Sequence, residues 1–144
     1  MLENLMRGPV AETLQLPPKS IFGAQGSSVF SSLAGDFMKP AGHIIELLLN
    51  NTNLDVVVIT GQLDLIVATP GNVVWLEKLQ WDGRKGYLEA PRNGVGPKGL
   101  LEGYQKSFGK LHMYWALRAG HMVPADNPVV MDYILRKHAR YSKP

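Results

Sequence analysis

The sequence predicts an α/β fold in which helices flank a mostly parallel sheet. The first observation is "DVVVIT" at 55–60, a β-branched run without alternation. A strand covered on both faces reads this way, because both sides of its pleat meet apolar neighbours. Helical periods precede and follow that run, which gives the α–β–α rhythm of a doubly wound sheet. A second strand-like segment, "LHMYWALRAG" at 111–120, also leads into a well-capped helix.

Residues 1–33 hold no strong period, since "GPVAETLQLPPKS" breaks at Pro17-Pro18 and "FGAQGSS" is a Gly/Ser turn. Short helical pieces are expected on either side. At 36–51, "DFMKPAGHIIELLLNN" predicts a helix with Asp36 as N-cap and Pro40 in or near the first turn, where proline does least harm. Phe37, Ala41, Ile44, Ile45 and Leu48 then share a buried face, and Asn50 and Asn51 suit the C-terminal end. After the first strand, Thr69 reads as the N-cap and Pro70 as the first position of a helix that stops near Asp82-Gly83. Residues 81–108 are Gly-rich and polar and predict an insertion or long loop, with a hairpin in "LEGYQKSFGK". In the second strand, Leu111, Met113, Trp115 and Leu117 face one way, and His112, Tyr114, Ala116 and Arg118 the other. Asn127 caps the last helix with Pro128 at its first position, and Val129, Val130, Tyr133 and Ile134 form its buried face.

The composition narrows the function classes. With 144 residues, 45% apolar and 19% charged, the chain suits one ordinary core. No apolar run is long enough for a membrane span, and "MLENLMRGPV" lacks the pattern of a secretory signal. The net charge of +3 comes from 15 scattered Lys and Arg. Their densest group, "RKHAR" at 136–140, ends a helix and complements its dipole, so no nucleic-acid partner is expected. The run "RKHARYSKP" reads as a frayed terminus. The absence of cysteine excludes disulfides, thiolate metal sites and thiol nucleophiles within the chain. His43, His112, His121 and His138 match no metal signature in their spacing, and packing or solvent accounts for the first, second and fourth. "GPKGL" and "GAQGSS" lack the P-loop pattern, so neither a metal nor a nucleotide cofactor is expected. "NNT" at 50–52 is a glycosylation triplet on Asn50, a residue that a helix terminus explains equally well.

Two residues look chemical. Asp64 lies just beyond the first strand after Gly61, and His121 just beyond the second after Gly120. Loops at the carboxyl ends of parallel strands converge on one crevice, which makes that end the place for a site. An acid followed in chain order by a histidine fits the later two members of a Ser–Asp–His triad. A serine hydroxyl needs an imidazole to take its proton, and the imidazole needs a carboxylate on its other nitrogen to fix the tautomer. Each residue alone also has a plain reading: Asp64 as a turn former, His121 as a solvated side chain. On pattern alone the catalytic and plain readings stand level.

The stretches "GQLDLIV" at 61–67 and "AGHMVPADNP" at 119–128 resemble the serine carboxypeptidases, and "LMRGPVAETLQL" with "DFMKP" resembles the retinoid-inducible branch of that family. The likeness extends over nearly the whole chain and is weakest at 82–106. It implies the C-terminal portion of an α/β-hydrolase fold with an incomplete sheet. In that fold 1–35 form a cap or edge segment, and 36–144 are the helix–strand units that carry Asp64 as triad acid and His121 as triad base. Met122 then lines the leaving-group side. The implied reaction releases C-terminal amino acids from peptides without metal or organic cofactor, in a secreted or lysosomal protein. The family's serine elbow has no counterpart here, because Ser27 and Ser28 sit in a Gly-rich turn without a strand before it. Ser20 stands about where relatives carry a cysteine. The expectation is therefore a chain holding two triad members, with the nucleophile on a missing N-terminal portion or a second chain. The alternative is a non-catalytic relative that binds peptides or partners.

Overall fold

The computed structural model describes residues 2–20, 22–23 and 26–139. These form two compact units, 1–40 and 41–144. The "FGAQGSS" turn falls partly, and the end of the frayed terminus wholly, outside the described residues.

In the first unit, α1 (Leu2–Leu5), a wide turn (Met6–Val10) and α2 (Ala11–Thr13) precede α3 (Ser27–Phe37). Helix α3 corrects the expected cap at Asp36, which lies in its last turn and pairs with Lys39 Nζ at 3.2 Å. Val29, Leu33 and Phe37 recur every four residues on one stripe of α3, and the Phe30 and Phe37 rings pack with centroids 5.5 Å apart. That stripe is the period hidden among four serines.

The second unit is a sheet with helices on both faces. Helix α4 (Gly42–Asn51) leads into β1 (Val56–Gly61), followed by α5 (Thr69–Lys78), α6 (Arg84–Glu89), β2 (Arg92–Val95), β3 (Gly103–Phe108), β4 (Leu111–Ala116), α7 (Val123–Asp126) and α8 (Pro128–His138). The strand order is β1-β4-β3-β2. Only β1 and β4 run parallel, from Val56 opposite Leu111 to Gly61 opposite Ala116; β2–β3 and β3–β4 are antiparallel. The sheet is thus mixed rather than mostly parallel. The difference arises in the Gly-rich region expected to be a loop, which supplies α6, β2 and β3. The hairpin joins β3 to β4 through Gly109 and Lys110, with Gly109 at φ +51° where a two-residue turn needs a left-handed residue.

Strand alternation builds two apolar layers. Tyr114 and Ala116 of β4, with Val57 and Ile59 of β1, pack against Val123, Val130 and Ile134 of α7 and α8. Leu111 and Met113, with Val56 and Val58, pack against Leu49, Leu76, Leu79 and Tyr87 from α4, α5 and α6 and the turn after α5. Full burial stabilises each such side chain by roughly 1.5–3 kcal/mol relative to exposure. Two expected faces shift. On α4 the buried residue is Leu49 whereas Ile44 is exposed, and Phe37 falls at the exposed end of α3 instead; on α8 Val130 and Ile134 are buried but Val129 is not. The Asn127 cap holds, its side chain accepting from Val130 N at 3.1 Å. Thr69 does not cap α5; its hydroxyl is buried and donates to the Gly61 carbonyl at 3.0 Å. Among the described residues no helix is long and apolar enough to cross a membrane.

Candidate active site

The parallel pairing of β1 and β4 sends the chain out of both strands at the same end of the sheet, and the two exits are stitched together. Gln62 N donates to Ala116 O and Leu63 N to Ala119 O, both at 2.8 Å. Gly61 allows this close approach, because a Cβ there would stand 2.1 Å from Gly120 O and 2.5 Å from Ala119 O. Gly120 N donates in turn to Asp126 Oδ2 at 2.8 Å, which fixes the backbone just before His121 to the last residue of α7.

Asp64 and His121, 57 residues apart, meet across this seam with Oδ2 2.9 Å from Nδ1. The other carboxylate oxygen accepts from Ile66 N and Val67 N, each at 2.9 Å. The amide of Val67 above all, then the His121 ring and the amide of Ile66, hold the Asp64 carboxyl below its ordinary value against the opposing effect of burial. The carboxylate is buried, with 6% of its side chain exposed, while the imidazole is 51% exposed. A buried anion fixed by three donors and facing an open imidazole orients that ring: Nδ1–H donates to Asp64, and Nε2 is left as the ring's other nitrogen. Nε2 has no hydrogen-bond partner among the described residues.

Met122, the next residue, is exposed at the entry to α7. Asn50 sits in the last turn of α4 with both side-chain atoms engaged, Nδ2 donating to Gln80 O at 3.4 Å and Oδ1 accepting from Asp82 N at 3.1 Å. It thus ties α4 to the turn after α5. Sequence reasoning missed Glu102, which is buried just before β3. Its carboxylate pairs with the Arg118 guanidinium and accepts from Asn127 Nδ2 at 3.0 Å, so it joins the β4 exit to the α8 cap. His43 is exposed on α4, and the partly buried His112 and His138 come together with Asp55.

The serine carboxypeptidase family profile matches residues 2–139. The rat retinoid-inducible serine carboxypeptidase is 43% identical over 129 residues, covering 87% of this chain and 28% of that protein. Serine carboxypeptidase-like 51 of Arabidopsis thaliana is 36% identical, over 90% of this chain and 28% of its own length. The solved structure of Kex1(delta)p, a prohormone-processing carboxypeptidase from Saccharomyces cerevisiae, superposes with a TM-score of 0.77 at 25% identity, covering 96% of this chain and 31% of that one. The mixed sheet and its helices therefore form part of an α/β-hydrolase fold. The chain spans less than a third of the length of the relatives it matches, and it belongs to the serine carboxypeptidase family.

Proposed function

We propose that this chain supplies the acid and the base of a serine carboxypeptidase active site that releases C-terminal amino acids from peptides. The observation that carries this reading is the 2.9 Å contact of Asp64 with His121 at the C-terminal ends of adjacent parallel strands. In this reading His121 Nε2 takes the proton of a serine hydroxyl as its oxygen attacks the last peptide carbonyl, then delivers it to the leaving amine. Water completes the cycle by the same route, with His121 again taking the proton. Asp64 stays ionised throughout and stabilises the imidazolium; its two backbone donors are in place before the reaction begins. The chemistry needs no cofactor. Met122 is assigned to the leaving-group side of the site.

The nucleophile is assigned to a segment outside these 144 residues. In the unit holding the pair, the one described serine is Ser107, opposite His112 in the β3–β4 ladder, at the far end of β4 from His121. Two features favour a covering segment beside the pair. Leu65 is 94% and Ile66 79% exposed directly after Asp64, an apolar surface of the kind that marks contact sites. Strand β1, whose composition suits an interior position, lies at the sheet edge with one side unpaired among the described strands. Residues 1–35 are assigned to a cap or edge role, and location to a secreted or lysosomal compartment, by family resemblance.

A chimera tests this. This chain replaces the matching segment of a homologous serine carboxypeptidase, and release of C-terminal amino acids from a peptide is measured. A folded chimera is expected to hydrolyse the peptide, with Asp64→Asn lowering kcat on the order of 10⁴-fold. A folded but inactive chimera, or an Asp64→Asn variant with undiminished kcat, overturns the proposal. So does serine-dependent turnover by the 144 residues alone.

A further inference from the structure

The same parallel register that gathers Asp64 and His121 at one end of the sheet gathers a different trio at the other. Asp55 immediately precedes β1, His112 is the second residue of β4, and His138 closes α8. One ligand atom from each lies within 4.8 Å of the others. His112 Nε2 is 3.6 Å from Asp55 Oδ1, and His138 Nδ1 is 3.9 Å from Asp55 Oδ2. Hydrogen bonds of this type run ~2.7–3.2 Å, so these are longer contacts. Donor atoms ~2.1 Å from one tetrahedral ion stand ~3.4 Å apart, so the two imidazole–carboxylate contacts are already close to the spacing that a shared cation requires. We propose that Asp55, His112 and His138 form a binding site for a divalent transition-metal ion of the zinc class, separate from the Asp64–His121 pair.

Three further observations favour this site. His138 Nε2 is 2.8 Å from the Tyr114 hydroxyl, an outer partner that holds the ring with Nδ1 turned toward Asp55. His112 is largely buried, and its Nδ1 has no partner among the described residues, so Nε2 toward Asp55 is the ring's polar engagement. The rings lie with centroids 4.6 Å apart, so both imidazoles stand beside the one carboxylate. Lys137, the neighbouring cation on α8, is drawn to Gln105 Oε1 at 2.9 Å. Two imidazoles and a carboxylate suit zinc, and Asp55, half exposed, leaves a fourth position open to water. The ion's role is to tie α8 to the starts of β1 and β4.

The test titrates the tag-free 144-residue chain, stripped with EDTA, with ZnCl₂ by calorimetry and with CoCl₂ by visible absorption. One ion per chain is expected, with cobalt bands of low-symmetry coordination. Tm is expected to rise by about 5 °C or more at a hundredfold excess over Kd. Asp55→Asn, at an exposed position where folding is undisturbed, and His138→Gln each weaken binding more than 100-fold. Tyr114→Phe weakens it about 10-fold or more, as outer partners do. His121→Ala leaves it unchanged. Absence of binding, or binding that survives Asp55→Asn or is lost in His121→Ala, overturns the proposal.

Discussion

Replacing Gly61 by alanine puts a methyl group where the exits of β1 and β4 meet. The new Cβ would stand 2.1 Å from Gly120 O and 2.5 Å from Ala119 O, both backbone atoms. Carbon–oxygen contacts in proteins rarely close below ~3.3 Å, so the overlap exceeds an ångström and no side-chain rotation relieves it. Relief requires residues 119–121 to move off the β1 exit, and Ala119 O is the acceptor of Leu63 N at 2.8 Å. Overpacking at its upper end costs ~3 kcal/mol and the lost hydrogen bond ~1 kcal/mol. The stiffer unfolded chain returns ~0.7 kcal/mol, which leaves a net loss of roughly 3 kcal/mol. Urea unfolding followed by tryptophan fluorescence measures this. Gly71→Ala is the control: it lies in α5 with nothing within 4 Å of the new Cβ and is expected to gain ~0.5–1 kcal/mol. A Gly61→Ala variant within ~0.5 kcal/mol of the parent, with the control behaving as stated, would refute the claim that backbone contact at Gly61 sets the site.

Three other outcomes follow from the same structure. Asp64 has its carboxyl lowered from 3.8, so its share of stability is full above that value and is lost as pH falls through the lower folded value. The stability gap between parent and Asp64→Asn should therefore shrink as pH falls below about 4; a gap that stays unchanged from there down to full protonation contradicts this. Glu102→Ala removes a buried carboxylate that Asn127 and Arg118 share, and should cost ~1–2 kcal/mol in urea unfolding. Arg118→Ala, removing the exposed partner, should cost less than ~1 kcal/mol; equal losses would show that the buried hydrogen bond contributes nothing. Leu111→Ala, at a side chain with 0% exposure between β4 and the α4–α5–α6 layer, should lose about 3 kcal/mol. A loss under ~1 kcal/mol would mean that this layer is not packed as described.

What the sequence made legible is what short-range chemistry encodes. The unbroken run of β1 announced a strand with apolar neighbours on both faces, and Val57 and Ile59 do turn to one layer while Val56 and Val58 turn to the other. Asn127 followed by Pro128 marked the start of α8, because a cap is a contact over three residues. Asp64 and His121 were legible as strand-end residues, but their meeting depends on β1 and β4 being sheet neighbours, which no local pattern states. Where long-range packing decides, the reading failed. Thr69 has the look of a cap, yet its hydroxyl is committed to the end of β1. Helix α3 combines serines and a glycine of weak helical propensity, so its period is faint. β2 and β3 carry Gly and charged residues, and their strand character comes from pairing with β4 rather than from composition. The trio of Asp55, His112 and His138 was invisible for the same reason, being assembled by register and by the landing point of α8.

Nitrogen-15 NMR of the His121 ring at neutral pH addresses the role given to Asp64 most directly. The neutral ring is expected to carry its proton on Nδ1, held by the carboxylate, and Asp64→Asn is expected to move the proton to Nε2. A neutral His121 ring protonated at Nε2 in the parent chain would contradict the account, because that nitrogen could then take no proton from a serine.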